Sequence, residues 1–115
     1  MGSRDKVASL IGFATKAGKL TFGCELTVGS VRQRKRNGAI LMLCASDASE
    51  NTKKRVYNCG AYYKVPVGIL GMTGDELSSV TGKQNFVAVI GVTDAGFADA
   101  IQKYSETDEA TTSEA

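Results

Sequence analysis

"AILMLCASDASENTKK" occupies residues 39–54 and joins a continuous apolar run to a polar stretch. The apolar part, residues 39–45, is too short for a typical buried helix and therefore predicts a strand covered on both faces. Ser49 has the side chain of a helix N-cap, so a helix is predicted to begin directly after it. The inner face of that helix is predicted to carry Val56, Cys59 and Tyr63. Helices are expected on both faces of such a strand, which indicates an α/β protein.

The rest of the chain alternates between helical and extended patterns in the same way. Helices are predicted to end at Gly18, to run from Gly23 to Asn37–Gly38, to cover residues 74–82, and to follow Asp94. Strands are predicted over residues 65–70 and 86–92, with a short extended segment at 19–22. The expected fold is a three-layer α/β/α sandwich with a mixed central sheet.

Length and composition predict one domain without metal or disulfide staples. Residues 1–104 form this domain, and residues 105–115, "SETDEATTSEA", contain four acids and no large apolar side chain. Such a composition predicts an acidic, disordered tail.

No apolar run approaches the roughly 18 residues of a membrane span, and the first ten residues lack a signal peptide's apolar core. A cytoplasmic protein with no membrane partner is expected.

The charges are distributed unevenly along the chain. Residues 1–64 contain twelve Lys and Arg and four acids, a net charge of +8, whereas residues 65–115 contain two basic and eight acidic residues, a net charge of −6. This asymmetry favours one face that meets an anionic partner. Two cationic groups could take part, one at residues 32–36 and one at Lys53, Lys54 and Arg55. A solvated helix end explains the first group equally well.

Several classes of chemistry lack the residues that they require. The chain has no histidine, and its three cysteines form no CxxC pair, so neither a metal site nor a histidine-based catalytic arrangement is expected. The glycine spacing fits neither a P-loop nor a dinucleotide fingerprint. We therefore expect no enzyme and no cofactor. Cys24 could be a reactive thiol of lowered pKa at a helix N-terminus, or a small apolar residue on an inner face.

Gly23 stands where a helix begins, and two interpretations of it remain open. A helix N-terminus offers unpaired N–H groups to a phosphate oxygen, and a glycine lets that oxygen approach closely. Alternatively, the glycine only makes the tight turn from strand to helix. For Tyr57, Tyr62 and Tyr63, packing is favoured over base stacking.

Four motifs together resemble one known family: "GFATKAGKLTFG" (12–23), "ASDASENTKK" (45–54), "YYKVPV" (62–67) and "VIGVTDAGFA" (89–98). Over residues 4–104 the chain is similar to the kink-turn RNA-binding ribosomal proteins of the L7Ae and L30e type, and most similar to their small bacterial YlxQ-like members. The resemblance implies an L30e-like fold and recognition of kinked or bulged RNA by a helix that enters the widened groove.

The resemblance also implies the residues of the RNA site. The groove-facing positions correspond to Gly23, Cys24, Glu25 and Gly29, with Lys19 just before them. Asp47 corresponds to the acid after the second strand. The loop that covers an extruded base corresponds to Leu70, Gly71 and Met72, with Val80, Thr81 and Gly82 nearby.

The chain departs from the family pattern at the start of this helix. Kink-turn binders typically carry an Asn–Glu pair and a lysine here, where this chain has Glu25, Leu26 and Gly29. The resemblance implies an RNA-binding protein associated with the ribosome or with translation, whose partner is structured RNA such as rRNA. DNA is not expected as a partner, and a monomer is expected. The alternative is a protein-interaction module that keeps the fold and has lost the kink-turn contacts.

Overall fold

The computed structural model describes residues 3–33, 38–84 and 86–108, and in residues 3–5 and 104–108 only the backbone. In chain order the elements are α1 (Ser3–Lys16), β1 (Leu20–Phe22), α2 (Cys24–Arg32), β2 (Leu41–Cys44), α3 (Glu50–Tyr63), β3 (Val67–Ile69), α4 (Gly74–Thr81), β4 (Val89–Val92) and α5 (Ala95–Asp108). No helix in these ranges is both long and apolar enough to cross a bilayer.

The four strands form a mixed sheet in the order β1-β4-β2-β3. β4 is antiparallel to both of its neighbours, and β2 and β3 are parallel. In the register, Ile90 of β4 lies opposite Phe22 and Leu43, and Cys44 lies opposite Ile69. The mixed sheet predicted from the sequence is therefore confirmed.

Side chains of β2 alternate between the two faces of the sheet. Leu41 and Leu43 belong to a core cluster that includes residues of α1, α4 and α5. Met42 and Cys44 belong to a second cluster with residues of α2 and α3. All four are buried, as expected for a strand covered on both faces. The three-layer architecture is thus confirmed, with three helices on one face and two on the other.

Short polar side chains cap the later helices. Ser49 Oγ accepts a hydrogen bond from Thr52 N at 3.1 Å, and Asp94 Oδ2 accepts one from Phe97 N at 3.1 Å, so both predicted caps are confirmed. α4 is capped by Thr73 rather than by a glycine. Thr73 Oγ1 accepts from Glu76 N, and the Glu76 carboxylate accepts from Thr73 N, which forms a capping box.

Several predicted boundaries differ from the structure. α2 ends at Arg32 with Gln33 as its C-cap, before the predicted stop at Asn37–Gly38. The cations Arg34, Lys35 and Arg36, with Asn37, lie outside the described residues. β2 covers residues 41–44 rather than 39–45. Ala39 and Ala45 are buried like the strand, which is why the apolar run is longer, but they lie outside the strand itself. α5 continues to Asp108, past the predicted domain end at residue 104, and residues 109–115 are not described.

One end of the sheet collects the loops that concern the site. β1, β2 and β3 end there, and β4 begins there, as the register pairs Phe22–Ile90, Cys44–Val89 and Cys44–Ile69 show. We call this end the carboxyl edge. The first turns of α2, α3 and α4 follow directly from the three strands, so three helix N-termini lie at this edge.

Candidate nucleic-acid interface

Gly23 makes the turn from β1 into α2 in a backbone conformation that is nearly exclusive to glycine. Its φ is 95° and its ψ is 150°, a region that an L side chain occupies only with strain. A Cβ added there would meet no atom within 4 Å, so the requirement comes from the backbone and not from crowding. The Gly23 N–H donates to Val89 O at 2.8 Å. This amide belongs to the sheet, which corrects the expectation that it is free for a phosphate.

The free donors of α2 are the next three amides. Gly23 has no side chain to cap the helix, and the N–H groups of Cys24, Glu25 and Leu26 have no acceptor in the described part of the chain. The first amides of a helix cannot be satisfied within it, and they carry a partial positive charge. By contrast, α3 and α4 have side-chain caps. Among these three helices, α2 alone presents an uncapped N-terminus at the carboxyl edge.

Glu25 and Arg55 form a bidentate ion pair across the start of α2 and the first half of α3. Arg55 Nη1 donates to Glu25 Oε2 at 2.7 Å, and Arg55 Nη2 donates to Glu25 Oε1 at 3.0 Å. The hydrogen bond from Arg55 lowers the pKa of Glu25 below its ordinary value. Both side chains are exposed, so the pair lies in water beside the uncapped amides. An acid therefore holds a cation at the place where a phosphate would be expected.

The Cys24 thiol does not have the lowered pKa considered from the sequence. Partial burial raises its pKa, and the nearby Arg55 offsets only part of this effect. Cys24 packs against the second core cluster with Cys44 and Cys59, whose pKa values burial also raises, that of Cys44 to about 11. The interpretation of Cys24 as a small inner-face residue fits this geometry.

The loop after β2 is fixed to the loop after β3. Asp47 Oδ1 accepts from Gly74 N at 2.8 Å, and Ser46 N donates to Met72 O at 2.8 Å. Lys53 Nζ donates to Ser46 O at 3.1 Å, which directs this ammonium toward the same loop. Lys54 beside it is exposed. Asp47 thus anchors the first turn of α4, and the two lysines lie at the carboxyl edge beside it.

The residues assigned to the base-covering loop are mostly buried. Leu70, Met72 and Thr81 are 4%, 3% and 6% exposed. Val80 and Thr81 lie within α4 rather than in a loop, and Thr81 Oγ1 donates to Leu77 O at 3.0 Å. Val80 is partly buried against the first cluster. Among the residues assigned to this loop, Gly71 and Gly82 are the two that are exposed.

Two expected site residues lie away from the uncapped turn. Lys19 precedes β1 at the opposite end of the sheet, where its carbonyl oxygen accepts from Thr93 N at 2.9 Å. The three residues of β1 lie between Lys19 and Gly23, which places the two about 13 Å apart along the strand. Gly29 lies in α2 about 9 Å along the helix axis from Gly23. No atom stands within 4 Å of a Cβ built on Gly29.

Two side chains at this edge were missed from the sequence. Lys83 Nζ lies 4.3 Å from the centroid of the Phe22 ring, directly before the turn into α2. Phe86 is 53% exposed, and its ring packs on Gly74 at the start of α4. Lys83 could have been noticed as one of only two cations in the acidic half. Phe86 was hidden because it begins an apolar run that predicted a buried strand.

The tyrosines of α3 divide between packing and exposure. Tyr63 is partly buried against the second cluster, as expected. Tyr57 and Tyr62 are exposed, so neither of them is a core residue. Tyr62 stands edge-on to Tyr63, with ring centroids 4.8 Å apart.

The exposed charges of the carboxyl edge are of both signs. Lys54, Arg55 and Lys83 contribute positive charge. Acids occupy the first turns of the helices that begin there: Glu25 in α2, Glu50 in α3, and Asp75 and Glu76 in α4. Each acid stabilises the helix in which it lies, because its negative charge is close to the partial positive charge of the helix N-terminus. Within the described residues, no three side chains of the types that bind metals are grouped to hold an ion.

The protein is thus a small three-layer α/β domain. At its carboxyl edge, the uncapped start of α2 lies between the Glu25–Arg55 ion pair and Lys83. Residues 5–102 match the model of the Ribosomal protein L7Ae/L30e/S12e/Gadd45 family, and the chain belongs to this family. It is similar to the RNA-binding protein YlxQ of Enterococcus faecium, with 41% identity over 105 residues, 91% of this chain and 96% of the relative. The RNA-binding protein YlxQ of Bacillus subtilis (strain 168) is 37% identical over 92 residues, 80% and 87% of the two chains.

Two solved structures have the same architecture. A protein of unknown function from Bacillus halodurans superposes with a TM-score of 0.77 at 33% identity, covering 86% of this chain and 95% of that one. The 15.5kD RNA binding protein of Giardia lamblia superposes with a TM-score of 0.68 at 13% identity, covering 90% and 84%. At that identity, the second likeness shows the fold alone.

Proposed function

We propose that this protein binds structured RNA at the carboxyl edge and recognises a kinked or bulged helix there. The curated relatives named above are RNA-binding proteins, and they align with nearly the whole chain. The observation that carries the proposal is the uncapped start of α2, where the amides of Cys24, Glu25 and Leu26 have no acceptor among the described residues. Such amides suit the oxygens of a phosphate.

The mechanism is recognition of backbone shape. The three amides hold one phosphate, and Lys54 and Lys83 contact phosphates on either side of it. Phosphate contacts carry no sequence information, so selectivity comes from the path of the RNA strand. A bend brings phosphates to the amides and to the flanking cations together, which a straight A-form helix does not do. Asp47 lies beside this path and anchors the first turn of α4.

The family membership also motivates a proposal for the cellular setting. We propose a cytoplasmic protein associated with the ribosome or with translation, acting as a monomer through the single domain that ends with α5. Its partner is rRNA or another folded RNA rather than DNA, because B-form DNA lacks both the kink and the 2′-hydroxyls.

A titration tests the proposal. A kinked RNA, a straight RNA duplex of equal length and the matching DNA duplex are titrated at about 50 and about 200 mM salt. The expected result is at least about tenfold tighter binding of the kinked RNA, a difference of about 1.4 kcal/mol. Lys54→Gln and Lys83→Gln each reduce the slope of log K against log salt by about 0.7–0.9. The matched control is Lys16→Gln, an exposed lysine in the last turn of α1, which leaves the slope unchanged.

One observation favours the second candidate, a protein-interaction module. Leu26 is 61% exposed in the first turn of α2, where an apolar side chain gives nothing to a phosphate. Equal and weak binding of all three nucleic acids, with no response to Lys54→Gln or Lys83→Gln, would favour this module over RNA binding.

A further inference from the structure

A shallow groove lies between the second half of α3 and the start of β3. It has a volume of about 430 Å³ and is lined by Tyr57, Gly60 and Ala61 of α3 and by residues 64–67. A Cβ built on Gly60 would lie 2.5 Å from Val67 Cγ2, so the glycine lets the helix and the strand meet at the base of the groove. Because α3 begins at the carboxyl edge and ends where β3 begins, the groove lies toward the opposite end of the sheet. The proposed RNA surface does not use it.

The outer side of β3 offers main-chain groups for a further strand. β3 is the last strand in the order of the sheet, and no strand among the described residues lies beside its outer side. Pro66 O accepts from Met42 N at 3.0 Å, so Pro66 bonds toward β2. Alternate residues of a strand direct their main-chain groups to opposite sides. The N–H and C=O groups of Val67 and Ile69 therefore point away from β2, and they have no main-chain partner in the described part of the chain.

The groove is positively charged. Its lining includes Lys64 and no acid, and residues 51–74 contain four Lys and Arg and no acid. Lys64 has φ 61° and ψ 43°, a left-handed conformation that is usually taken by glycine at the end of a helix. Among the described residues, it alone has a positive φ without being a glycine. A cation thus stands beside the groove at a position where the backbone favours glycine.

We propose that this groove binds an extended acidic segment of a partner protein, which adds to the sheet as a strand beside β3. Strand addition provides main-chain hydrogen bonds, here to Val67 and Ile69, and alternate side chains of the added strand provide selectivity. A carboxylate of the segment pairs with Lys64, and an apolar side chain on the same face of the segment covers Ala61. The phosphates of an RNA strand fit less well, because they offer no donors to the two C=O groups. The inference does not rest on RNA binding, since the groove and the carboxyl edge are separate.

Chemical-shift mapping on the ¹⁵N-labelled full chain tests the groove. The probe is the blocked peptide Glu-Thr-Val-Thr-Glu, whose acids and valine share one face of a strand. It is expected to shift the amide signals of Val67 and Ile69 with a Kd of about 1 mM or tighter. The matched peptide with Gln in place of both acids binds about threefold more weakly, as expected for loss of an exposed charge pair. A version of the acidic peptide with every amide N-methylated leaves both signals unchanged.

Protein variants test the role of the cation. Lys64→Gly should fold like wild type, because the positive φ suits glycine. It should bind the acidic peptide and the Gln peptide with equal affinity. Lys16→Gln is the matched control, since Lys16 is an exposed lysine in α1, and it keeps the preference of the wild type for the acidic peptide.

The outcomes separate this inference from the proposed function. If the acidic peptide does not shift Val67 and Ile69, or if the Gln or the N-methylated peptide binds as tightly, the groove is not a site for an acidic strand. Shifts of these two signals by a kinked RNA and not by the peptide would make the groove a nucleic-acid surface and would also overturn the inference. Binding or loss of RNA at the carboxyl edge decides only the proposed function.

Discussion

Glu25→Gln should strengthen RNA binding, although it removes a charged partner from an ion pair. In the wild type, both Arg55 nitrogens that contact Glu25 are occupied, at 2.7 and 3.0 Å. A phosphate that approaches the uncapped amides of α2 meets a carboxylate of like charge, and it must also displace that carboxylate to reach Arg55. Glutamine keeps the shape of the side chain and removes the charge. Arg55 then becomes available to the RNA, and the repulsion at the helix start disappears.

The magnitude follows from the number of phosphate contacts. One additional cation–phosphate contact adds about 0.7–0.9 to the slope of log K against log salt. Between about 50 and about 200 mM salt, a slope difference of this size changes the ratio of affinities by about three-fold. The advantage of Glu25→Gln over wild type should therefore be largest at low salt and fall by about this factor at the higher salt. Both partners are exposed, so the variant should fold like wild type at neutral pH.

Fluorescence anisotropy with a labelled kinked RNA measures this change. Asp99→Asn is the matched control, because Asp99 is an exposed acid in α5, which follows β4 at the opposite end of the sheet. It corrects for the change of one unit in net charge. The double variant Glu25→Gln, Arg55→Gln should lose the added slope, since the released cation is gone. If Glu25→Gln has no steeper slope of log K against log salt than Asp99→Asn, the ion pair does not compete with the RNA and the reasoning is refuted.

Three further predictions concern stability. Gly29→Ala should raise the free energy of unfolding by about 0.5–1 kcal/mol in urea denaturation, because the helical position has open space for a Cβ; a loss of stability would contradict this. Gly23→Ala should lower it by about 1–3 kcal/mol, since φ is 95° there, and an unchanged midpoint would show that the turn is not strained. Because the pKa of Glu25 is lowered in the folded state, its pair with Arg55 stabilises the protein fully above the ordinary glutamate pKa of about 4.5. That contribution is lost as the pH falls through the lower folded value, so acid unfolding followed by circular dichroism should show wild type losing its advantage over Glu25→Gln below that pH. If the stability of wild type and that of Glu25→Gln change with pH in parallel, the ion pair does not contribute to stability in this way.

The layers of the fold could be predicted because each depends on a local pattern. A run such as residues 39–45 is apolar at every position, and only a strand between two helix layers buries both of its faces. Helix starts at Ser49 and Asp94 were predictable because a cap is a contact between residues three apart. The sequence placed the end of α2 too late, at Asn37–Gly38 instead of Arg32. The cations of residues 32–36 are compatible with the last turn of a helix, but they do not determine at which residue the helix ends.

The site was harder to predict because its contacts join residues far apart in sequence. Glu25 and Arg55 are 30 residues apart, and their charges give no sign of a bidentate pair. The family resemblance implied that Lys19 belongs to the site with Gly23, but the extended strand between them places it at the opposite end of the sheet. The loop after β3 was expected to expose its apolar residues, whereas Leu70 and Met72 complete the first core cluster. The aromatic surface at this edge comes instead from Phe86.

Charges of both signs at the carboxyl edge bear directly on selectivity. A uniformly cationic face binds any duplex, since its attraction for phosphates does not depend on their arrangement. Here, phosphates are attracted at the start of α2, at Lys54 and at Lys83, and they are repelled by acids in the first turns of α3 and α4. A regularly spaced backbone meets both kinds of position, so attraction and repulsion partly cancel. A bent strand that places its phosphates at the favourable positions avoids this cost, and discrimination arises from repulsion as much as from contact. On this argument, the acids of α3 and α4 contribute to recognition, and their neutralisation should improve binding of straight RNA more than binding of kinked RNA.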